Sequence, residues 1–263
     1  MGAPTRPRAT SIATVLAVAL LCISCERSSP SGPPPGSSAV TFTTSDGVRL
    51  SGRLFGPTDA SAGVVLAHML PADQTSWYDE AERLAAFGYR VLTFDFRGYC
   101  PGGDGGCSKG PKDVNATPVD LTAALRYLRE DGVSRVALVG ASMGGTAGLI
   151  VASQQGTGVG AVVTLSAPEV IEGIGAGPEV LQLVSAAKLF IAGLGDTTAA
   201  RSAQAFYDGS QQPKRVEILT TDDHGTDLLT GSQGEKARQL LESWVQTYVP
   251  VVPTPAPTAG GAP

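Results

Sequence analysis

Apolar residues recur along this chain in two alternating patterns. Short runs rich in β-branched residues occupy positions 64–68, 90–95, 135–140, 161–166, 188–192 and 215–220. Runs this continuous, without polar alternation, suit strands buried on both faces of a parallel sheet. Helical spacing fills the gaps. Residues 76–87 place Trp77, Ala81, Leu84 and Ala85 on one face, and Gly88 follows as a stop. Thr117-Pro118 opens a helix that runs to residue 130, with a cap and a first-turn proline. Residues 143–154, 198–207 and 233–248 complete the set. Residues 40–44 and 48–55 flank Asp46-Gly47, a hairpin signal that predicts an antiparallel pair at one sheet edge. The expectation is an α/β fold: a doubly wound, mostly parallel sheet of eight strands with helices on both faces.

The two ends break the pattern. Arg6 and Arg8 precede an apolar stretch at 12–24, which reads as an export signal over residues 1–25 and is too short to span a bilayer comfortably. Cys25, in Cys22-Ile23-Ser24-Cys25, resembles the cleavage box of bacterial lipoproteins, with Cys22 where leucine is usual. Lipidation there would tether the protein to the cell envelope without spanning a membrane; without lipid it would be periplasmic or secreted. Residues 26–38 form a Pro/Gly/Ser tether and 250–263 a Pro/Ala/Gly tail, neither with a face to bury. Residues 39–249 remain for one domain with a sizeable core.

Composition narrows the function classes. Apolar residues are 42% and charged residues 16% of the chain, as in a packed protein rather than a disordered one. Net charge is −5 and no Lys/Arg stripe appears, so nucleic acid is not an expected partner. Of four cysteines, Cys100 and Cys107 share one glycine-rich loop and are expected to pair in an oxidising compartment. A zinc site lacks partners, because the chain has only two histidines, and no cofactor is expected.

The candidate chemistry lies at strand ends. Gly140-Ala141-Ser142-Met143-Gly144 fits Gly-x-Ser-x-Gly between a strand and a helix, where a sharp turn presents the serine hydroxyl. A second match, Gly106-Cys107-Ser108-Lys109-Gly110, has no strand before it, and Ser108 is expected to be a surface-loop residue. A serine hydroxyl needs a base to take its proton. His224 follows the last strand and is the expected base; His68 ends an earlier strand and is expected to be structural. Asp196, in the loop after the 188–192 strand, is the expected orienting acid, with Glu169 as runner-up and an N-cap as its alternative role. Met143 N–H, at a helix start, suits an oxyanion donor, and a second should come from Met69 or Leu70.

These residues together resemble the α/β-hydrolase superfamily, over roughly residues 40–249. The order Ser142, Asp196, His224 is the family's nucleophile–acid–base order. Phe94-Asp95-Phe96-Arg97-Gly98-Tyr99 is similar to its D-x-R-G-x-G strand end, with Cys100 where glycine is common. Ala67-His68-Met69-Leu70 resembles its His-Gly oxyanion loop, with Met69 where glycine is usual; the resemblance makes Leu70 the second donor. The gap at 167–187 is too short for the large cap of many members, so the resemblance is to small, lidless esterases and dienelactone-hydrolase-like proteins. The implied activity is hydrolysis of carboxylic esters through an acyl-enzyme. The alternatives are a peptidase or thioesterase on the same scaffold, or a non-catalytic envelope-anchored binding protein.

Overall fold

The computed structural model describes residues 1–2, 34–100 and 107–252. All but the first two belong to one compact unit, Gly32–Pro263. The expected export signal beyond Gly2, Cys25, most of the tether and the tail from residue 253 lie outside the described residues. Among the described residues no helix is long and apolar enough to cross a membrane.

Among the described residues ten strands form: β1 (Ser38–Thr43), β2 (Arg49–Phe55), β3 (Ala62–Ala67), β4 (Arg90–Phe94), β5 (Arg135–Ala141), β6 (Val159–Leu165), β7 (Val170–Ile171), β8 (Ile174–Gly175), β9 (Ala187–Gly193) and β10 (Lys214–Leu219). Eight build one sheet in the order β1-β2-β4-β3-β5-β6-β9-β10. Only β2 runs against the rest, pairing antiparallel with both β1 and β4. The Asp46-Gly47 turn between β1 and β2 closes with Gly47 at φ 86°. Such a backbone favours a residue without Cβ.

The continuous apolar runs have a direct cause. Along β5, Val136 and Leu138 pack into one core while Ala137, Val139 and Ala141 pack into a second on the opposite face. β3 divides the same way, with Val65 and Ala67 on one side and Val64 and Leu66 on the other. Both faces are therefore dry, and side-chain alternation carries no polar signal. Helices α2 (Thr117–Glu130), α3 (Met143–Gln155) and α5 (Thr197–Gly209) line the first core; α1 (Tyr78–Ala86) and α6 (Gly234–Tyr248) line the second. The expected sheet and the five expected helices all form, with ends displaced by a residue or two.

The stretch between β6 and β9 holds only the small β7–β8 hairpin and one turn of helix, α4 (Pro178–Leu181). Among the described residues no large cap stands over the sheet. These short elements had no periodicity to announce them, being only two to four residues long. They pack on α3, whose residues from Met143 to Leu149 are all buried. A helix enclosed on every side is apolar on every side.

Candidate active site

Because β5, β9 and β10 run parallel, the loops that follow them emerge at one edge of the sheet. Ser142, Asp196 and His224 each occupy one of those loops. Ser142 links β5 to α3 at φ 45°, ψ −114°, a conformation that L-residues rarely adopt. Its N–H donates to Leu165 O at 2.8 Å, and its carbonyl accepts from Gly145 and Thr146 N–H at 2.9 and 3.1 Å. The strained turn is thus held by β6 on one side and by the first turn of α3 on the other. The flanking glycines are required by contact: a Cβ on Gly140 would collide with the Gly144 carbonyl, and one on Gly144 with Ala67 O. Ser142 itself is largely buried, 7% exposed.

His224 Nδ1 lies 2.5 Å from Asp196 Oδ2. The imidazole is 43% exposed and the carboxylate 17%. Asp196 also caps α5, with Oδ1 accepting from Ala199 N–H at 3.4 Å. The two roles open to it in the sequence are therefore compatible, one oxygen serving each. The histidine partner is Asp196 and not Glu169. Asp223 shapes the base loop by accepting from Thr221 Oγ1 at 2.5 Å.

The base loop reaches the elbow through its neighbours. A Cβ at Gly225 would collide with Met69 Sδ and would lie 3.5 Å from Ala141 Cβ. Thr226 Oγ1 contacts the same sulfur at 3.9 Å. Met69 thus fills the space between the residue after His224 and the residue before Ser142. This gives a reason for methionine at a position where glycine is usual in similar proteins. On the other side of the turn, Met143 supplies the first N–H of α3, and the first N–H groups of an α-helix have no partner within it. Leu70 follows Met69 and packs half-buried against the core.

His68 is fully buried and bridges two loops. Its Nε2 accepts from Phe96 N–H at 3.1 Å, so Nδ1 carries the hydrogen given to Met69 O at 2.9 Å. Burial pushes its pKa down to about 4, which keeps the ring neutral. The expectation of a structural histidine holds.

Ser108 differs from the expected surface residue. It is 5% exposed, accepts from Ser51 N–H at 2.9 Å and donates to Asp95 O at 2.6 Å. The polar, proline-flanked sequence around it gave no sign of these partners, because both come from β2 and the β4 end. Cys100 and Cys107 form the expected disulfide, with Cα atoms 4.3 Å apart. Arg97 joins buried Asp120 of α2 to Asp46 of the first hairpin turn. Its hydrogen bonds hold Asp46 down at about 2. Sequence reading also missed Gln74, which is fully buried and bonds Asp95; a lone glutamine in a loop carries no local signal.

A family model described as alpha/beta hydrolase fold matches residues 64–253. Among solved structures, an esterase of Pyrococcus furiosus superposes with a TM-score of 0.68 at 19% identity, over 81% of this chain and 91% of that one. The esterase domain of a Rhodothermus marinus protein gives 0.62 at 23% identity, over 81% and 99%. A dienelactone hydrolase of Anabaena variabilis gives 0.65 at 21% identity, over 81% and 98%. No curated protein sequence matches this chain.

Proposed function

This chain belongs to the α/β-hydrolase family, and from that premise we propose that it is a serine hydrolase of carboxylic esters using Ser142, His224 and Asp196. The observation that carries the reading is the 2.5 Å pair of Asp196 Oδ2 and His224 Nδ1, in loops that leave the same edge of the sheet as the turn holding Ser142 at φ 45°. A carboxylate on Nδ1 leaves Nε2 free to act as general base. Ser142 Oγ attacks the acyl carbon as Nε2 takes its proton. Negative charge then collects on the former carbonyl oxygen, where Met143 N–H and Leu70 N–H donate to it. The imidazolium returns its proton to the departing alcohol, and water repeats the sequence to release the acid.

Without a large cap among the described residues the site is open to water, which suits hydrolysis rather than acyl transfer to another acceptor. The esterases and the dienelactone hydrolase of the same fold support esters as the substrate class. We also propose export, with Cys25 as the lipid attachment point, on the strength of the N-terminal pattern alone. The direct test is labelling by a fluorophosphonate together with hydrolysis of p-nitrophenyl esters. Wild-type protein should show both and Ser142→Ala neither. A folded Ser142→Ala variant with normal turnover would remove the assignment.

A further inference from the structure

The loop over residues 68–74 is fastened at its two ends to two consecutive residues after the neighbouring strand, Phe96 and Asp95. At its start, His68 Nε2 accepts from Phe96 N–H at 3.1 Å. At its finish, Gln74 donates twice to the carboxylate of Asp95, from N–H at 2.9 Å and from Nε2 at 2.6 Å. Thr93 Oγ1 donates to Gln74 Oε1 at 3.0 Å, which fixes the orientation of the amide. His68, Gln74, Thr93 and Asp95 are all fully buried. Behind them Ser108 Oγ holds the Asp95 carbonyl.

Such a cluster does not serve the apolar core. Burying a carboxylate is costly, and here burial pushes Asp95 up to about 6 despite both Gln74 bonds. What the cluster does is define the path of the five residues between its two anchors. The loop and the strand end that leads into it touch both halves of the site. The carbonyls of Ala67 and His68 lie where a Cβ on Gly144 would collide, and Met69 Sδ lies against Gly225.

We infer that Asp95, Gln74 and His68 are positioning residues for the oxyanion hole: they clamp the loop so that Leu70 N–H meets the charge formed on the substrate. The inference rests on the proposed role of Leu70. A donor displaced by a fraction of an ångström stabilises the transition state less while ground-state binding is barely altered.

The test compares wild type with Asp95→Asn and Gln74→Met. The first variant replaces one acceptor oxygen with an NH2 donor; the second removes both side-chain bonds of Gln74, to Asp95 and from Thr93, and keeps the backbone one. We measure kcat and KM for a p-nitrophenyl ester, and Kd for an alkylboronic acid. Boron adds Ser142 oxygen and places a hydroxyl where the oxyanion forms. Folded variants should lose about tenfold or more in kcat, keep KM within about twofold, and bind the boronic acid weaker by the same factor as kcat. A general loss of packing would not produce that match. Wild-type kcat in both folded variants overturns the inference, as does a lowered kcat with unchanged boronic acid affinity. Should Asp95→Asn fail to fold, Gln74→Met decides by the same criteria. An inactive wild type would remove the ester-hydrolase reading and this inference with it; an active wild type with unaffected variants removes this inference alone.

Discussion

Two pentapeptides of this chain share the pattern Gly-x-Ser-x-Gly, and their serines sit in opposite surroundings. Ser142 lies between β5 and α3 with a backbone that L-residues avoid, and its glycine neighbours are enforced by contact with backbone atoms. Ser108 lies outside any strand or helix, and its hydroxyl is consumed as a bridge between Ser51 N–H and Asp95 O. One serine is strained and aimed at the carboxyl edge of the sheet; the other is relaxed and structural. The difference shows that the motif by itself carries no chemistry. The strand before it and the helix after it convert a serine into a candidate nucleophile.

The sharpest way to break that comparison is to exchange the fates of the two serines. Ser142→Ala should lower ester hydrolysis by about four orders of magnitude or more, while the melting temperature stays close to wild type. Fluorophosphonate labelling read by peptide mass should fall on Ser142 alone. Adduct on Ser108 in the folded protein would refute the contrast.

Next in size is Asp196→Asn. Asparagine can still cap α5 but no longer fixes the His224 tautomer, so kcat should fall by about 10⁴ with little change in thermal stability. A large drop in melting temperature with normal kcat would make the cap the only role of this residue.

Gly144→Ala tests the contact argument at the elbow. The added methyl meets Ala67 O, and unfolding in urea should show a loss of about 3 kcal/mol or more. Ser108→Ala should cost somewhat less, about 2 kcal/mol, because it leaves a buried N–H without its hydroxyl acceptor and a buried carbonyl without its donor.

The smallest effect concerns a buried carboxyl group without a hydrogen bond. Glu80 is 2% exposed, its oxygens accept no hydrogen bond, and the nearest cation is Arg238 Nε at 3.7 Å. Burial first, then nearby Glu242, pushes its pKa up to about 7. A raised folded-state pKa means the native protein holds a proton the unfolded chain would release. That contribution is complete below the ordinary carboxylate range and is lost as pH rises through about 7. Stability should therefore decline by about 1 kcal/mol between pH 6 and 8. Glu80→Gln should flatten that slope in urea titrations; an unchanged slope would show that Glu80 is not its source.

Much of the architecture was legible in the chain. The runs at 135–140 and 188–192 read as strands buried on both faces because each residue's neighbours on the sheet are apolar whichever way it points. The Asp46-Gly47 turn and the Thr117-Pro118 helix start are local signals, and local physics decides them. The candidate acid and base were placed by strand order and by there being only two histidines to choose from, since parallel strands bring their following loops to one edge. Less legible was everything that depends on a partner distant in sequence. Ser108 finds Ser51 across 57 positions, and Gln74 finds Asp95 across 21. No periodicity reports such a bond, and the same residues in another fold would face water.

The sequence by itself determined the order of strands and helices, the hairpin at one edge and the three loops that carry Ser142, Asp196 and His224, because spacing of apolar and turn residues acts over a few positions. Tertiary structure alone decided that one oxygen of Asp196 caps while the other meets His224, that Met69 fills the gap between the elbow and the base loop, and that Asp95 clamps its neighbour. Those outcomes turn on which polar atoms come within hydrogen-bonding distance once two dry cores have closed around a twisted sheet, and that distance is a property of the whole packed chain.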